Sequence, residues 1–353
     1  MATNKPTADE REELNANEVE AHPVATITPR QSSETAVVKP TAGVKRPGDR
    51  IFEFLATASA TLITVFIAAI GLFLIYRAIP SLMNNTGGLW GFLTYAGPWD
   101  TSDTSAMTFG IPNLFAVTVL ISVVALIIAM PVALGVAIFL SNYAPQRAVK
   151  PLGYLVDMLA AVPSIVYGLW GWQVLGPALS GFYEWLNGWA GGFFLFATYS
   201  NSPSFDTGRN VFTGGVVLAV MILPVIAATA REVFVQTPKG QVEAALALGA
   251  TRSEVVRMTV LPFGLSGYIS GSMLGLGRAL GETMALYLVV SPSGVFRGSL
   301  FDGGTTFATA IANAAPEFND NLRAGAYIAA GLVLFLLTFL VNGAARAIVA
   351  KNS

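Results

Sequence analysis

The chain has 353 residues, of which 54% are hydrophobic and only 12% charged, and its mean hydropathy is +0.61. A soluble globular surface draws on roughly 25% charged residues, so this composition excludes a soluble domain and selects a membrane-embedded class. Lysine plus arginine (20) nearly balances aspartate plus glutamate (21), which leaves no basic excess for nucleic acid. Cysteine is absent, and with it disulfides, thiolate metal sites and a cysteine nucleophile. The one histidine, His22, lies in a polar tail and reads as a solvated residue, so neither a metal nor a cofactor is expected.

Residues 1–48 are rich in Thr, Pro, Glu, Lys and Ala without an apolar period, a composition that cannot offset the entropy of ordering. They predict a disordered tail. It is not a signal peptide, because the first apolar run begins beyond residue 50 rather than directly after a charged start. Six runs then reach the roughly 20 residues that cross a bilayer: 51–79, 111–140, 152–175, 213–235, 265–290 and 324–349. Pro131, Pro163 and Pro224 fall inside them, as membrane helices tolerate when neighbours satisfy the freed backbone. The aromatic stretch Trp189 to Tyr199 is too short to span and predicts an interfacial or re-entrant segment.

With six spans, one side carries Lys45, Arg46, Arg50, Arg147, Lys150, Arg231, Lys239, Arg252, Arg257, Arg346 and Lys351. The other carries only Arg77, Arg209, Arg297 and Arg323. This asymmetry predicts a multi-pass protein of the inner (plasma) membrane with both termini in the cytoplasm.

The longest cytoplasmic connection, Thr237 to Pro262, reads TPKGQVEAALALGATRSEVVRMTVLP and is punctuated as two short helices. Thr237 caps the first, Pro238 suits its first turn, and Gly249 takes the left-handed conformation that ends it. Thr251 and Glu254 form a T-x-x-E capping box that starts the second. A helical hairpin at the membrane surface needs a partner to dock on. Glu243, Ala244 and Ala245, then Gly249, then Leu261 and Pro262 together resemble the EAA loop of ATP-binding-cassette (ABC) importer permeases. Thr259 departs from that pattern, which more often has Ile, but stays β-branched. The resemblance implies a coupling element seated in a groove of an ATPase subunit, with Glu243 facing a basic group there. The chain contains no G-x-x-x-x-G-K-[ST] phosphate-cradling loop, so the energy source is another subunit.

Inside the fifth run, GLGRALGETMAL places Arg278 and Glu282 four residues apart, on one face of a continuous helix. Charges there cost about 2.5–3.5 kcal/mol each on insertion, so they face protein or a water-filled path. Two readings follow: Arg278 contacts a tetrahedral oxyanion in transit while Glu282 neutralises it at rest, or the two form a structural ion pair at a subunit interface. Gly271, Gly275, Gly277 and Gly281 form small-xxx-small pairs that admit close helix approach. Asp157 is as much a packing residue as part of a path, and Arg231 with Glu232 reads as a boundary anchor.

Two further segments, Ala160 to Gly171 (AAVPSIVYGLWG) and Gly275 to Leu286 (GLGRALGETMAL), resemble phosphate-specific permeases of the PstC type. That resemblance runs from Ile51 to the C-terminus, less much of 177–212. It implies an all-α polytopic fold with a type I importer core over 111–349, the 51–79 helix being an addition. It also implies a PstA-like second permease, a PstB-like ATPase dimer, a PstS-like phosphate-binding protein outside, and phosphate import. An Arg–Glu pair alone does not choose among phosphate, sulfate and molybdate. A secondary transporter would need no docking loop and would show an internal repeat, which the sequence lacks; a membrane scaffold would leave the mid-span charges unexplained.

Overall fold

The computed structural model describes residues 47–199 and 202–352, and the tail reading lies outside them. Every element longer than an isolated bridge is helical. The chain divides into two compact units at Leu62. In the first, the start of helix α1 (Pro47–Met83) projects Phe52 and Phe54 outward, and Thr57 and Thr61 return their hydroxyls to the carbonyls four residues back. That back-bonding satisfies polar groups in an apolar helix.

The second unit begins with the rest of α1, where Ala78 is buried and the Ser81 hydroxyl donates to the Leu322 carbonyl at 2.7 Å. Helix α2 (Gly88–Thr94) follows, and the Asn85 side chain ties it to Phe109, accepting from its N–H at 3.1 Å and donating to its carbonyl at 3.2 Å. Helix α3 (Pro112–Ile138) is entered through Pro112 and ends in a π-helical turn over Phe139–Tyr143. Its residues Ala125, Ala129, Ala133 and Ala137 recur every fourth position and are all fully buried. They form a small-residue stripe on which helix α7 (Val211–Val235) lies, the close approach that replaces hydrophobic drive between helices in lipid.

The run expected as the third span is broken. Helix α4 (Gln146–Ala161) stops, and α5 (Ser164–Trp170, continuing through a π-helical turn Gly171–Leu175) leaves at 88°. The cause is local: Val162, preceding Pro163, is held extended with ψ 131°. The Tyr167 hydroxyl then donates to the freed Leu159 carbonyl at 2.8 Å. Helix α6 (Ser180–Ala190) absorbs the start of the aromatic stretch, which then continues as turns. Those turns are held by the Ser299 hydroxyl, which donates to the Ala197 carbonyl at 2.6 Å, and by Phe196 against Phe301. Beneath them Tyr183 is fully buried, 2.6 Å from the Thr213 hydroxyl; burial pushes its phenol up to about 12.

Helix α7 is capped by Asn210, whose side chain accepts from the Thr213 N–H at 2.9 Å. After the surface loop come α8 (Lys239–Ala247), α9 (Arg252–Val255, extended by a π-helical turn Val256–Val260), α10 (Leu261–Leu280), α11 (Met284–Val289), α12 (Phe307–Asn313) and α13 (Asn321–Asn352). The fifth expected span, 265–290, is therefore interrupted at residues 281–283. Among the described residues, four helices are long and apolar enough to cross a membrane, five if the bent α4–α5 pair is one span. The glycines and serines of α10 hold its hydropathy below that of the other spans.

Those glycines do packing work. A Cβ on Gly271 would sit 2.9 Å from Thr229 Cβ, and one on Gly275 2.9 Å from Ile226 Cγ1, both on α7. Gly264 and Gly267, which the small-xxx-small reading passed over, abut Phe234 and Val233 on the same face. Gly277 faces Asn342 of α13 instead, and Gly281 meets only the Gly277 carbonyl. Gly275→Val is expected to destabilise the subunit by about 1–3 kcal/mol through overpacking. Gly135→Ala, at an exposed position with nothing within 4 Å, should leave thermal unfolding in detergent unchanged.

Candidate functional site

The surface loop leaves α7 through Thr237, whose hydroxyl donates back to the Phe234 carbonyl at 2.8 Å and so closes α7 rather than capping α8. The cap position belongs to Pro238, which offers no side-chain acceptor. No residue of α8 is buried: Glu243 and Ala244 are exposed and Ala245 half-buried. The helix ends where Gly249 adopts φ +87°, with the Gly249 N–H on the Leu246 carbonyl and the Ala250 N–H on that of Ala245. A left-handed residue at this point is the glycine C-cap.

The capping box then forms as expected. The Thr251 N–H donates to Glu254 Oε2 at 2.8 Å, and the Glu254 N–H returns to Thr251 Oγ1 at 3.3 Å. The backbone N–H of Thr251 first, and its hydroxyl second, hold the Glu254 carboxyl below its ordinary range. The reciprocal cap is therefore intact at neutral pH and is lost only as pH falls through that lowered value. The second helix is not short: α9 runs through its π-helical turn into α10, with Leu261 and Pro262 inside the continuous rod. Pro262 sits in the first turn of α10, where its missing N–H is tolerated.

Arg278 lies in the last turn of α10, half-buried, where a cation complements the helix C-terminus. Glu282 is not on that helix. Its N–H reaches back to the Ala279 carbonyl at 3.3 Å, and its Oε1 accepts from the Ala285 N–H at 3.1 Å, so the carboxylate starts α11. Glu282 is 9% exposed and makes no ion pair with Arg278. The pair expected from the spacing fails because the helix that would align it ends at Leu280. Among the described residues the Arg278 side chain has no hydrogen-bond partner. Helices α5 and α11 pack together through Gly168, where a Cβ would lie 2.9 Å from Ala285 Cα. The fold thus joins the two segments Ala160–Gly171 and Gly275–Leu286.

Arg278 and the loop stand apart, whereas Asp157, Arg231 and Glu232, which the sequence left unassociated, line one cavity of 520 Å³ at the loop end of α7. The Arg231 guanidinium lies over Gly153, and its Nε has no hydrogen-bond partner.

The family model of the binding-protein-dependent transport system inner membrane component matches residues 129–353. The chain is 53% identical over 305 residues to the phosphate transport system permease protein PstC 2 of Mycobacterium bovis, covering 86% of this chain and 92% of that one. It is 50% identical over 318 residues to PstC of Mycobacterium leprae, covering 88% and 98%. The chain belongs to the PstC permease family. The PstC-type chain also shares its fold with an inward-facing MetNI methionine ABC transporter, at a TM-score of 0.50, 17% identity, and coverage of 69% of this chain and 95% of that one.

Sequence reasoning on this permease missed Leu248, which is 91% exposed at the tip of the loop, beside Gly249. The signal was present: an apolar side chain directly before a glycine C-cap, in a loop already read as a docking element, has no burial partner within its own chain.

Proposed function

We propose that this permease carries inorganic phosphate into the cytoplasm by alternating access, driven by ATP hydrolysis on partner subunits. The single observation that carries this reading is the glycine-capped helix α8, none of whose residues is buried, on one end of α7, in a chain whose relatives are phosphate transport permeases. An α8 with no buried residue has its packing surface vacant, and a PstB-like ATPase dimer supplies the groove, with Glu243, Ala244, Ala245 and Gly249 at the contact and Leu261 and Pro262 anchoring it to α10. The chain crosses the membrane six times, the fifth crossing being α10 with the interrupted α11 and the third the bent α4–α5 pair. The basic asymmetry puts both termini and the loop in the cytoplasm. The core over 111–349 pairs with a PstA-like permease, and a PstS-like protein delivers phosphate from outside. Arg278 meets the anion; its guanidinium, without a hydrogen-bond partner among the described residues, keeps its two-donor fork for cargo. Glu282 orients the turn that presents it.

The test is uptake of radiolabelled phosphate into vesicles containing the assembled complex, with ATP inside and loaded binding protein outside. ATP-dependent uptake of phosphate in preference to sulfate is expected. Equal uptake of sulfate and molybdate would defeat the cargo assignment. Tags at residues 148 and 245 should both report cytoplasm, and a periplasmic report at 245 would remove the docking reading as well.

A further inference from the structure

At the end of α7 opposite the loop, about 37 Å away at 1.5 Å per residue, stands Arg209, whose side chain has no hydrogen-bond partner among the described residues. Arg209 is fixed from both sides: Asn210 caps α7, and the Arg209 carbonyl accepts from the Ser291 N–H at 2.9 Å. Its guanidinium stands over the Trp172 ring at 5.7 Å, and its Nε is buried without a hydrogen-bond partner. Two of the other arginines assigned to this side donate hydrogen bonds within the chain, and the third, like Arg209, lies over an aromatic ring. Arg77 donates to the Asn321 side chain, Arg323 to the Ser102 carbonyl, and Arg297 lies 4.8 Å over the Tyr199 ring. Only Arg209 among these four lines a cavity that the α11 and α12 residues close, one of 210 Å³ shared with Tyr287, Pro292, Thr309 and Asn313.

The donor balance of that cavity is one-sided. The Thr309 hydroxyl is committed to the cap of α12, but among the described residues the Tyr287 hydroxyl and the Asn313 amide have no hydrogen-bond partner. No carboxylate lines it. Asp302, whose carbonyl accepts from the Val211 N–H nearby, holds its carboxylate on the Ser202 hydroxyl and makes no ion pair with Arg209. A cation, two neutral groups able to donate and no acid favour an anion over a cation there. One water needs about 10–15 Å³ on this measure, so 210 Å³ admits a small oxyanion with several waters.

We propose that Arg209, with Tyr287 and Asn313, forms an outer receiving site that holds a tetrahedral oxyanion before it reaches Arg278. The proposal rests on the orientation and cargo given above. Trp172 lies 5.7 Å from the guanidinium carbon on one side, and the cavity that Arg209 lines is open to an anion. Tyr287 lies on α11, the helix that Glu282 caps, so the receiving site and the Arg278 region share one short element.

The chain lacks cysteine, so Pro292→Cys places a single thiol of this subunit on the cavity wall without removing a donor. In the assembled complex its modification rate is measured with an anionic (sulfonatoethyl) and a cationic (trimethylammonioethyl) methanethiosulfonate, with and without inorganic phosphate. A preference for the anionic reagent of roughly tenfold is expected, with phosphate slowing its reaction. Adding Arg209→Gln should abolish both the preference and the protection, whereas Arg209→Lys keeps the preference. Should Arg209→Gln assemble poorly, Arg209→Met retains the aliphatic stem over Trp172 and gives the same reading. An anionic preference that survives loss of the charge overturns the receiving site. Protection by sulfate but not by phosphate upholds the site and overturns the phosphate assignment.

Discussion

Arg278→Lys is expected to lower ATP-dependent phosphate uptake by about 10- to 100-fold while the complex still assembles. The magnitude follows from losing one charged hydrogen bond of a bidentate pair, about 1.5–3 kcal/mol. An ammonium keeps the charge but not the planar fork that matches two oxyanion oxygens. The substitution disturbs no internal bond, because the guanidinium has no hydrogen-bond partner within the described chain. Arg278→Gln should be worse, since it removes the positive charge as well as the planar fork. The exchange of the two, Arg278→Glu with Glu282→Arg, moves the cation off α10 and removes the acceptor of the Ala285 N–H, so uptake should vanish. Normal uptake by the exchanged protein, with complex recovery measured alongside, would show Arg278 to be a strut.

Gly249→Leu is expected to abolish transport and co-purification of the ATPase while leaving membrane insertion intact. At φ +87° any residue with a Cβ is strained, at about 1–2 kcal/mol. The surroundings are open, with nothing within 4 Å of an added Cβ, so the defect is one of backbone and partner fit rather than internal clash. Gly249→Asn discriminates the two, since asparagine tolerates the left-handed region. If conformation alone matters, Asn restores most of the ATPase recovery; if the partner's surface presses on the loop, it does not. Full recovery and full transport by the leucine variant would return the loop to an undocked surface helix.

The surface loop after α7 was legible in residue order because its punctuation is local. A glycine that must be left-handed, and a Thr and a Glu three apart, act over a single turn, and the structure forms both where the order of residues puts them. The first long apolar helix and the spans around α3, α7 and α13 were legible for a related reason: in lipid the backbone must satisfy itself, so an uninterrupted apolar run of sufficient length has one solution. The end of the first loop helix was less so, since Thr237 closes the preceding helix instead of opening the next.

What residue order determined, then, is class, loop chemistry and the presence of charges in an otherwise apolar run. What only the tertiary structure decided is where helices stop and which charges meet. Pro163 bends one apparent span by 88° and the Gly281–Thr283 break interrupts another, and the second break removes Glu282 from the face of Arg278 and gives it to the Ala285 N–H. Hydropathy cannot register either event, since both pieces of each run remain apolar. Likewise Arg209, Tyr287 and Asn313 are separated by tens of residues and share a cavity only because α7, α11 and α12 converge. Local rules act over a turn of helix, whereas burial and an arginine's lack of a partner are properties of the packed helices and exist only once the chain has folded.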